Sequence, residues 1–158
     1  APANAAKARL VLPFIRLANQ GGSIGWDDAE LVKLMQDVGD FNGDSRFDVD
    51  DVDALVGEIA DGTNDVAFDM TGDGQVTAPA DLDAWLAVAG QKNGKTGPYL
   101  RGDADLDGDV DFFDLFTWRS SRFQAIAEWT AGDFNASGVV DFADLFAWRS
   151  NRFSSVNP

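Results

Sequence analysis

Four stretches of this chain place apolar residues three or four apart directly after a run of Asp, Asn and Gly, so a polar loop followed by an amphipathic helix is its recurring pattern. Val52, Leu55 and Ile59 share one face of a helix predicted over 51–60, and the same spacing predicts helices over 81–89, 114–123 and 144–153. Trp26–Val38 carries Leu31, Leu34, Met35 and Val38 at helical spacing, with Asp27 and Asp28 near its start where the helix dipole favours them. That segment predicts a full helix leading into the first loop. A short helix through Ile126 and Trp129 leads into the fourth, and the second and third follow turn-like stretches. Leu10–Leu17 is apolar and β-branched, and its Pro13 argues against a helix interior or a central strand. It reads as an extended edge segment that can cover its own domain or lie against a neighbouring subunit.

The loops begin at Asp40, Asp69, Asp103 and Asp133, and the last two open nearly identical lines, 103–123 and 133–153, offset by 30 residues. They fall into two pairs. The run Gly90–Pro98 is rich in Gly and Lys and lacks apolar residues, which marks a linker. The organisation expected is an extended N-terminal segment over 1–25, a first loop pair over 26–90, a linker over 91–98 and a second loop pair over 99–158.

With 158 residues the chain can bury one core or two small ones packed together. Its 27 acidic and 12 basic residues give a net charge of -15, which repels nucleic acid and anionic membrane surfaces and favours multivalent cations. The chain has no Cys and no His, which removes disulfides, the usual zinc sites, thiol nucleophiles and Ser-His or Cys-His relays together. No apolar run is long enough to span a bilayer. The opening Ala1-Pro2-Ala3 suits a mature product from which a signal peptide has been removed, and equally a fragment of a longer precursor.

The loops carry the chemistry. Calcium takes six to eight oxygens, and a twelve-residue loop can deliver them from side chains at positions 1, 3, 5, 9 and 12 and a carbonyl at position 7. The third loop offers Asp103, Asp105, Asp107, the carbonyl of Asp109, Asp111 and Asp114, with Gly108 at the sharp turn. The first offers Asp40, Asn42, Asp44, the carbonyl of Arg46, Asp48 and Asp51, with Ser45 in place of the turn glycine. The fourth offers Asp133, Asn135, Ser137, the carbonyl of Val139, Asp141 and Asp144, so a hydroxyl stands where a carboxylate is usual and affinity is expected to be lower. The second offers Asp69, Thr71, Asp73, the carbonyl of Gln75 and Thr77, but position 12 is Ala80 and the acid, Asp81, comes one residue late. A bulge near Pro79 that brings Asp81 round to the metal is favoured over a weak site, because Asp81-Leu82-Asp83-Ala84 repeats the sense of Asp51-Val52-Asp53-Ala54.

The side chains so assigned include 15 Asp. Clustered carboxylates repel one another by about 1 kcal/mol per pair at about 4 Å even when water screens them. Four divalent ions would reduce the charge of -15 to about -7, so folding and metal binding are expected to be coupled.

At these residues the chain resembles the dockerin repeat, D-x-N-x-D-G-x-V-[ND]-x-x-D-L followed by one helix. Asp103–Leu115 and Asp133–Leu145 carry the match, and the first two loops follow it more loosely. The fold class implied is mainly α, four EF-hand/dockerin-like calcium loop-helix units arranged as two pairs. The resemblance also implies up to four Ca2+ ions, a secreted, extracellular setting and often a cohesin partner. Three departures bear on the partner. There are four loops where a dockerin usually has two, the usual Ser/Thr pair at positions 10 and 11 is absent, and Val49-Asp50, Ala78-Pro79, Phe112-Phe113 and Phe142-Ala143 stand there. What carries over is the loop-helix unit and its ion.

The duplicated helices 111–123 and 141–153 agree at ten of thirteen positions. Leu115 with Trp118, and Leu145 with Trp148, have the spacing of a core-facing stripe. Phe112, Phe116, Phe142 and Phe146 lie off it, with Arg119, Arg122, Arg149 and Arg152 as matched basic patches. Those Arg either balance the acidic loops and stack on aromatic rings, or anchor a protein interface with the Phe residues. The function expected is a secreted calcium-binding structural or interaction module, docking to a protein or to copies of itself. The alternative is a cohesin-binding adaptor attached to or released from a larger extracellular enzyme. Catalysis of its own is not expected: paired Asp could serve glycoside hydrolysis, but these Asp are assigned to loops. A calcium sensor would want a Met-rich groove, and only Met35 and Met70 are present.

Overall fold

The computed structural model describes residues 37–158. The extended segment 10–17, the rest of 1–25 and all but the last two residues of the helix expected over Trp26–Val38 lie outside the described residues. Asp37 and Val38 belong to a turn closed by Asp40 N–H donating to the Asp37 carbonyl at 3.0 Å.

Among the described residues the chain is mainly helical and has no β-strand. The helices are α1 (Val49–Asp61), α2 (Ala80–Lys92), α3 (Phe112–Ser121) and α4 (Phe142–Asn151), with single 3-10 turns at Val66–Phe68 and Trp129–Ala131. Each helix follows one Asp-rich loop, as the apolar spacing requires. The short helix expected before the fourth loop is the turn at Trp129–Ala131.

The loops themselves start three of the helices. The ninth and twelfth loop residues serve as N-cap and third helical residue, and the two bond reciprocally. Asp48 accepts from Asp50 N–H while its own N–H donates to Asp51, at 3.1 and 3.2 Å. Asp111 with Asp114 and Asp141 with Asp144 repeat the arrangement at 2.7 to 2.8 Å. α2 has Pro79 at its N-cap and no side-chain cap. α1 ends at Gly62 in the left-handed conformation.

The described residues, 37–158, lie in one compact unit. Leu55, Val56, Leu82, Trp85, Trp129 and Phe134 belong to a single core that draws on all four loop-helix segments. Asp53 of α1 accepts from both the N–H and the hydroxyl of Thr130, at 2.9 and 2.6 Å, and Arg101 joins Asp83 of α2 to the carbonyl of Phe134. The stretch 91–98, expected as a linker, begins inside α2 and is bonded along its length: Lys95 N–H to the Gly90 carbonyl and Thr96 N–H to the Val156 carbonyl, at 2.9 and 2.7 Å. It joins the two halves as a packed connection.

The third and fourth loops are gripped crosswise. Trp118 of α3 donates its indole N–H to the carbonyl of Asp141 in the fourth loop, and Trp148 of α4 donates to Asp111 in the third, both at 2.7 Å. Just after each helix the chain pairs with the other's loop: Phe123 N–H to the Val140 carbonyl and Phe153 N–H to the Val110 carbonyl, both at 2.6 Å. Close approach requires glycine beside each Trp. A Cβ on Gly102 would stand 2.6 Å from Trp148 Cα and one on Gly132 2.8 Å from Trp118 Cα, and both glycines have positive φ.

Candidate metal centres

The third loop, Asp103–Asp114, is built from short-range hydrogen bonds that point carboxylates inward. Asp105 accepts from Asp107 N–H and Asp107 from Asp109 N–H, the two-residue reach of an Asx turn. Gly108, at φ +96°, donates its N–H to Asp103 Oδ2 at 3.0 Å. Asp114 ties the two ends of the loop together, accepting from Ala104 N–H at 2.8 Å and Asp111 N–H at 2.7 Å.

One carboxylate oxygen each from Asp103, Asp105 and Asp114 lie within 4.8 Å of one another, with Asp103 and Asp114 buried and Asp105 exposed. Asp103 is fully buried, and among the described residues its Oδ1 is the single buried side-chain oxygen or nitrogen with no hydrogen-bond partner. The ion pairs among the described residues are Lys92 with Asp37 and Arg101 with Asp83, so none of these three carboxylates is ion-paired with a Lys or Arg. An uncompensated buried carboxylate costs several kcal/mol. Burial, reinforced by the neighbouring charge of Asp114, pushes the Asp103 carboxyl up to about 8 from its ordinary 3.8. Burial likewise pushes Asp114 up to about 6, against the lowering effect of its two backbone donors. A hard cation at these oxygens would supply the missing countercharge, so Asp103, Asp105 and Asp114 fit a metal ion.

The other three loops share the framework but turn the first carboxylate onto their own backbone. In the first, Asp40 accepts from Gly43, Asp44 and Ser45 N–H, Asn42 from Asp44 N–H, and Asp44 from Arg46 N–H. Asp51, fully buried, closes that loop by accepting from Phe41, Asn42 and Asp48, and burial raises its pKa. Ser45 holds a left-handed φ of 68°, the conformation for which glycine is the usual choice.

In the second loop, Asp69 accepts from Gly72 and Gly74 and from the hydroxyl of Thr71, while Asp73 accepts from Gln75 N–H. Asp69 is half-buried, and its backbone donors, Gly74 foremost, hold its carboxyl below the ordinary range. Asp81 comes one residue late and still takes the closing place. It accepts from Met70 and Thr71 at the head of the loop and from Thr77 at its foot, at 2.9, 3.2 and 2.6 Å, as Asp51 does in the first.

In the fourth loop, Asp133 accepts from Ser137 and Gly138, Asn135 from Ser137 N–H, and Asp144 from Asn135 and Asp141 N–H. The Ser137 hydroxyl donates to the Val139 carbonyl at 3.1 Å, so two of the expected ligand groups engage each other. Burial raises Asp133 and pushes Asp144 up to about 6.

Two features of these sites escaped the spacing argument. Every Trp among the described residues puts its indole N–H on a carbonyl of a loop or its flank: Trp118 and Trp148 as above, Trp85 on Gly39 and Trp129 on Asp103, at 2.8 and 2.6 Å. The helix caps at positions 9 and 12 did carry a local signal, the D-x-x-D spacing of a capping box. The matched Arg residues offer a third point. Arg122 and Arg152 donate to the carbonyls of Arg119 and Arg149 in their own helices, and none of the four pairs with a carboxylate among the described residues. No protein-family model, curated protein or solved structure matches the chain.

Proposed function

We propose that this chain is a calcium-binding interaction module, secreted to where calcium is plentiful, whose ion-stiffened loops hold helix faces in place for docking to another protein. The observation that carries the ionic part is Asp103 Oδ1, buried, unpartnered and beside two further carboxylates, none of the three ion-paired with a Lys or Arg. Calcium suits an all-oxygen set of Asp side chains better than zinc or copper, which favour nitrogen and sulfur. The first, second and fourth loops repeat the donor types and the closing acid, so up to four ions are proposed. Calorimetric titration of the whole chain with Ca2+, paired with circular dichroism melts with and without chelator, tests this. Bound ions and a marked rise in melting temperature are expected; no heat and an unchanged melt refute it.

The docking part rests on the outer faces of α3 and α4. Phe112, Phe113, Phe116, Phe142 and Phe146 are all more than half exposed, with Phe113 at 74%. Arg119, Arg122, Arg149 and Arg152 follow them in sequence, on a chain of net charge -15. Exposed Phe and Arg together are the residues that anchor interfaces. Self-docking through this same face would set guanidinium against guanidinium, so the reading favours a partner with carboxylates around apolar pockets. Light scattering with and without Ca2+ separates the two: a monomer at both conditions supports an adaptor, and a calcium-dependent assembly supports self-association. Among the described residues no helix is long and apolar enough to cross a membrane.

A further inference from the structure

We infer that the loops fill in order, the third first, and that its occupation prepares the fourth through the crossed tryptophans. This rests on the calcium reading above and adds to it a sequence of events that loop spacing does not contain. By spacing alone the third loop is the best supplied, with five Asp side chains and a turn glycine where the first has Ser45, but spacing says nothing of an order of filling or of a link to the fourth.

The difference lies in what each first carboxylate already does. Both oxygens of Asp69 and of Asp133 accept loop N–H groups, and Asp40 takes three such donors. A cation entering those loops competes with hydrogen bonds already formed. Asp103 spends only Oδ2 on Gly108 and keeps a buried Oδ1 without a partner, so its first carboxylate gives up no hydrogen bond to bind. The surrounding chain also fixes this loop more firmly than its twin. Trp129 and Trp148 hold the carbonyls of Asp103 and Asp111, Val156 N–H holds that of Gly108 at 2.8 Å, and Lys95 holds that of Asp107 at 2.6 Å. Preorganisation lowers the cost of binding.

Transmission to the fourth loop has a physical route. Asp111 and Asp114 belong to the third loop and are also the cap and third residue of α3, whose Trp118 holds the Asp141 carbonyl of the fourth loop. Asp141 in turn caps α4. Fixing the third loop therefore fixes the start of α3 and, through Trp118, the cap of the next helix. Coupling of this kind is a free energy shared by both sites and must act in both directions.

The sixth residue of each loop gives a site-resolved reporter, since the N–H of Ser45, Gly74, Gly108 and Gly138 each donates to its own loop's first Asp. Amide NMR of the whole chain, titrated with Ca2+ from the chelated state, should shift Gly108 first and Gly138 only after it. Asp133→Asn should leave the Gly108 transition where it was, because the fourth loop is still empty while the third fills. Trp118→Phe keeps the ring and removes the N–H donor; it should weaken the Gly138 transition by up to about tenfold, one hydrogen bond's worth, and leave Gly108 unmoved. Simultaneous transitions, a Gly138 shift preceding Gly108, or a Trp118→Phe variant with an unaltered Gly138 midpoint would each overturn the order or its route while leaving calcium binding intact. Absence of any shift would instead remove the calcium reading itself.

Discussion

Trp148 and Asp111 are 37 residues apart in the chain, and the indole N–H of the first lies 2.7 Å from the backbone carbonyl of the second. Trp118 and Asp141 form the matching bond over 23 residues. Each tryptophan thus belongs to one loop-helix segment and secures the other's loop at the residue that caps its helix. Replacing Trp148 by Phe leaves a carbonyl without its donor and should destabilise the protein by about 1–3 kcal/mol. Replacement by Ala also opens a cavity and should cost about 3–5 kcal/mol. Denaturant midpoints for the two variants check the ranking.

Gly102→Ala and Gly132→Ala should each be strongly destabilising. The new Cβ would meet the backbone of Trp148 or Trp118 at 2.6 or 2.8 Å, at a φ of +107° or +102° that L side chains rarely adopt. The conformational strain alone is on the order of 1–3 kcal/mol. Thermal melts in saturating Ca2+ should show losses of several degrees for both, and a neutral result at either position would contradict the crossed packing.

Stability should depend on pH in opposite senses with and without calcium. Burial raises the folded-state pKa of Asp103 to about 8 and of Asp114 and Asp144 to about 6, from an ordinary 3.8. In chelator the folded chain therefore holds more protons than the unfolded one. That contribution to stability is complete below about pH 4 and is lost as pH rises through about 6 and then about 8. Calcium needs the same carboxylates ionised, so its stabilising effect grows across this window and protons are released on binding. Melts at pH 5, 7 and 9, each with chelator and with Ca2+, should show the two series crossing in slope.

Asp103→Asn should change sign with the ion. The neutral amide removes a buried charge, so in chelator at pH 8 to 9 the variant should melt above the parent protein. It also removes a ligand, so in saturating Ca2+ it should melt below it. One kcal/mol corresponds to about 2–8 °C for domains of this general size, which puts both differences within reach of differential scanning calorimetry.

On the outer face the expectation is different in kind. Phe113→Ser and Phe116→Ser alter exposed side chains and should change stability by no more than about 0.5 kcal/mol. If this face docks a partner, the same substitutions, and Arg119→Glu with them, should weaken that binding while leaving Ca2+ titration unchanged.

Much of this was legible in the order of residues because it is local. Asp at alternate positions, a glycine at the turn and an acid at the twelfth place act within one loop, and apolar residues three or four apart act within one helix, so each loop is followed by its expected helix, although α3 and α4 end before Phe123 and Phe153 and α2 runs on to Lys92. The placement of Trp118 and Trp148 in the core follows from the same period; both are buried. Asp81 shows how far such reading extends: a one-residue delay leaves the closing carboxylate in place, because three backbone donors define where it must go.

Only the tertiary structure decided which loop each tryptophan secures, that the stretch 91–98 is bonded on both sides, and that one carboxylate oxygen, Asp103 Oδ1, is buried without a partner. Helical periodicity identifies the face a residue turns inward and says nothing about which distant carbonyl waits there. The third loop has one carboxylate more than the first and a turn glycine where the first has Ser45, which the sequence shows; that its first carboxylate keeps one oxygen buried without a partner depends on the segments packed around it. That distinction is a matter of packing between residues far apart in the chain, for which a linear pattern carries no signal.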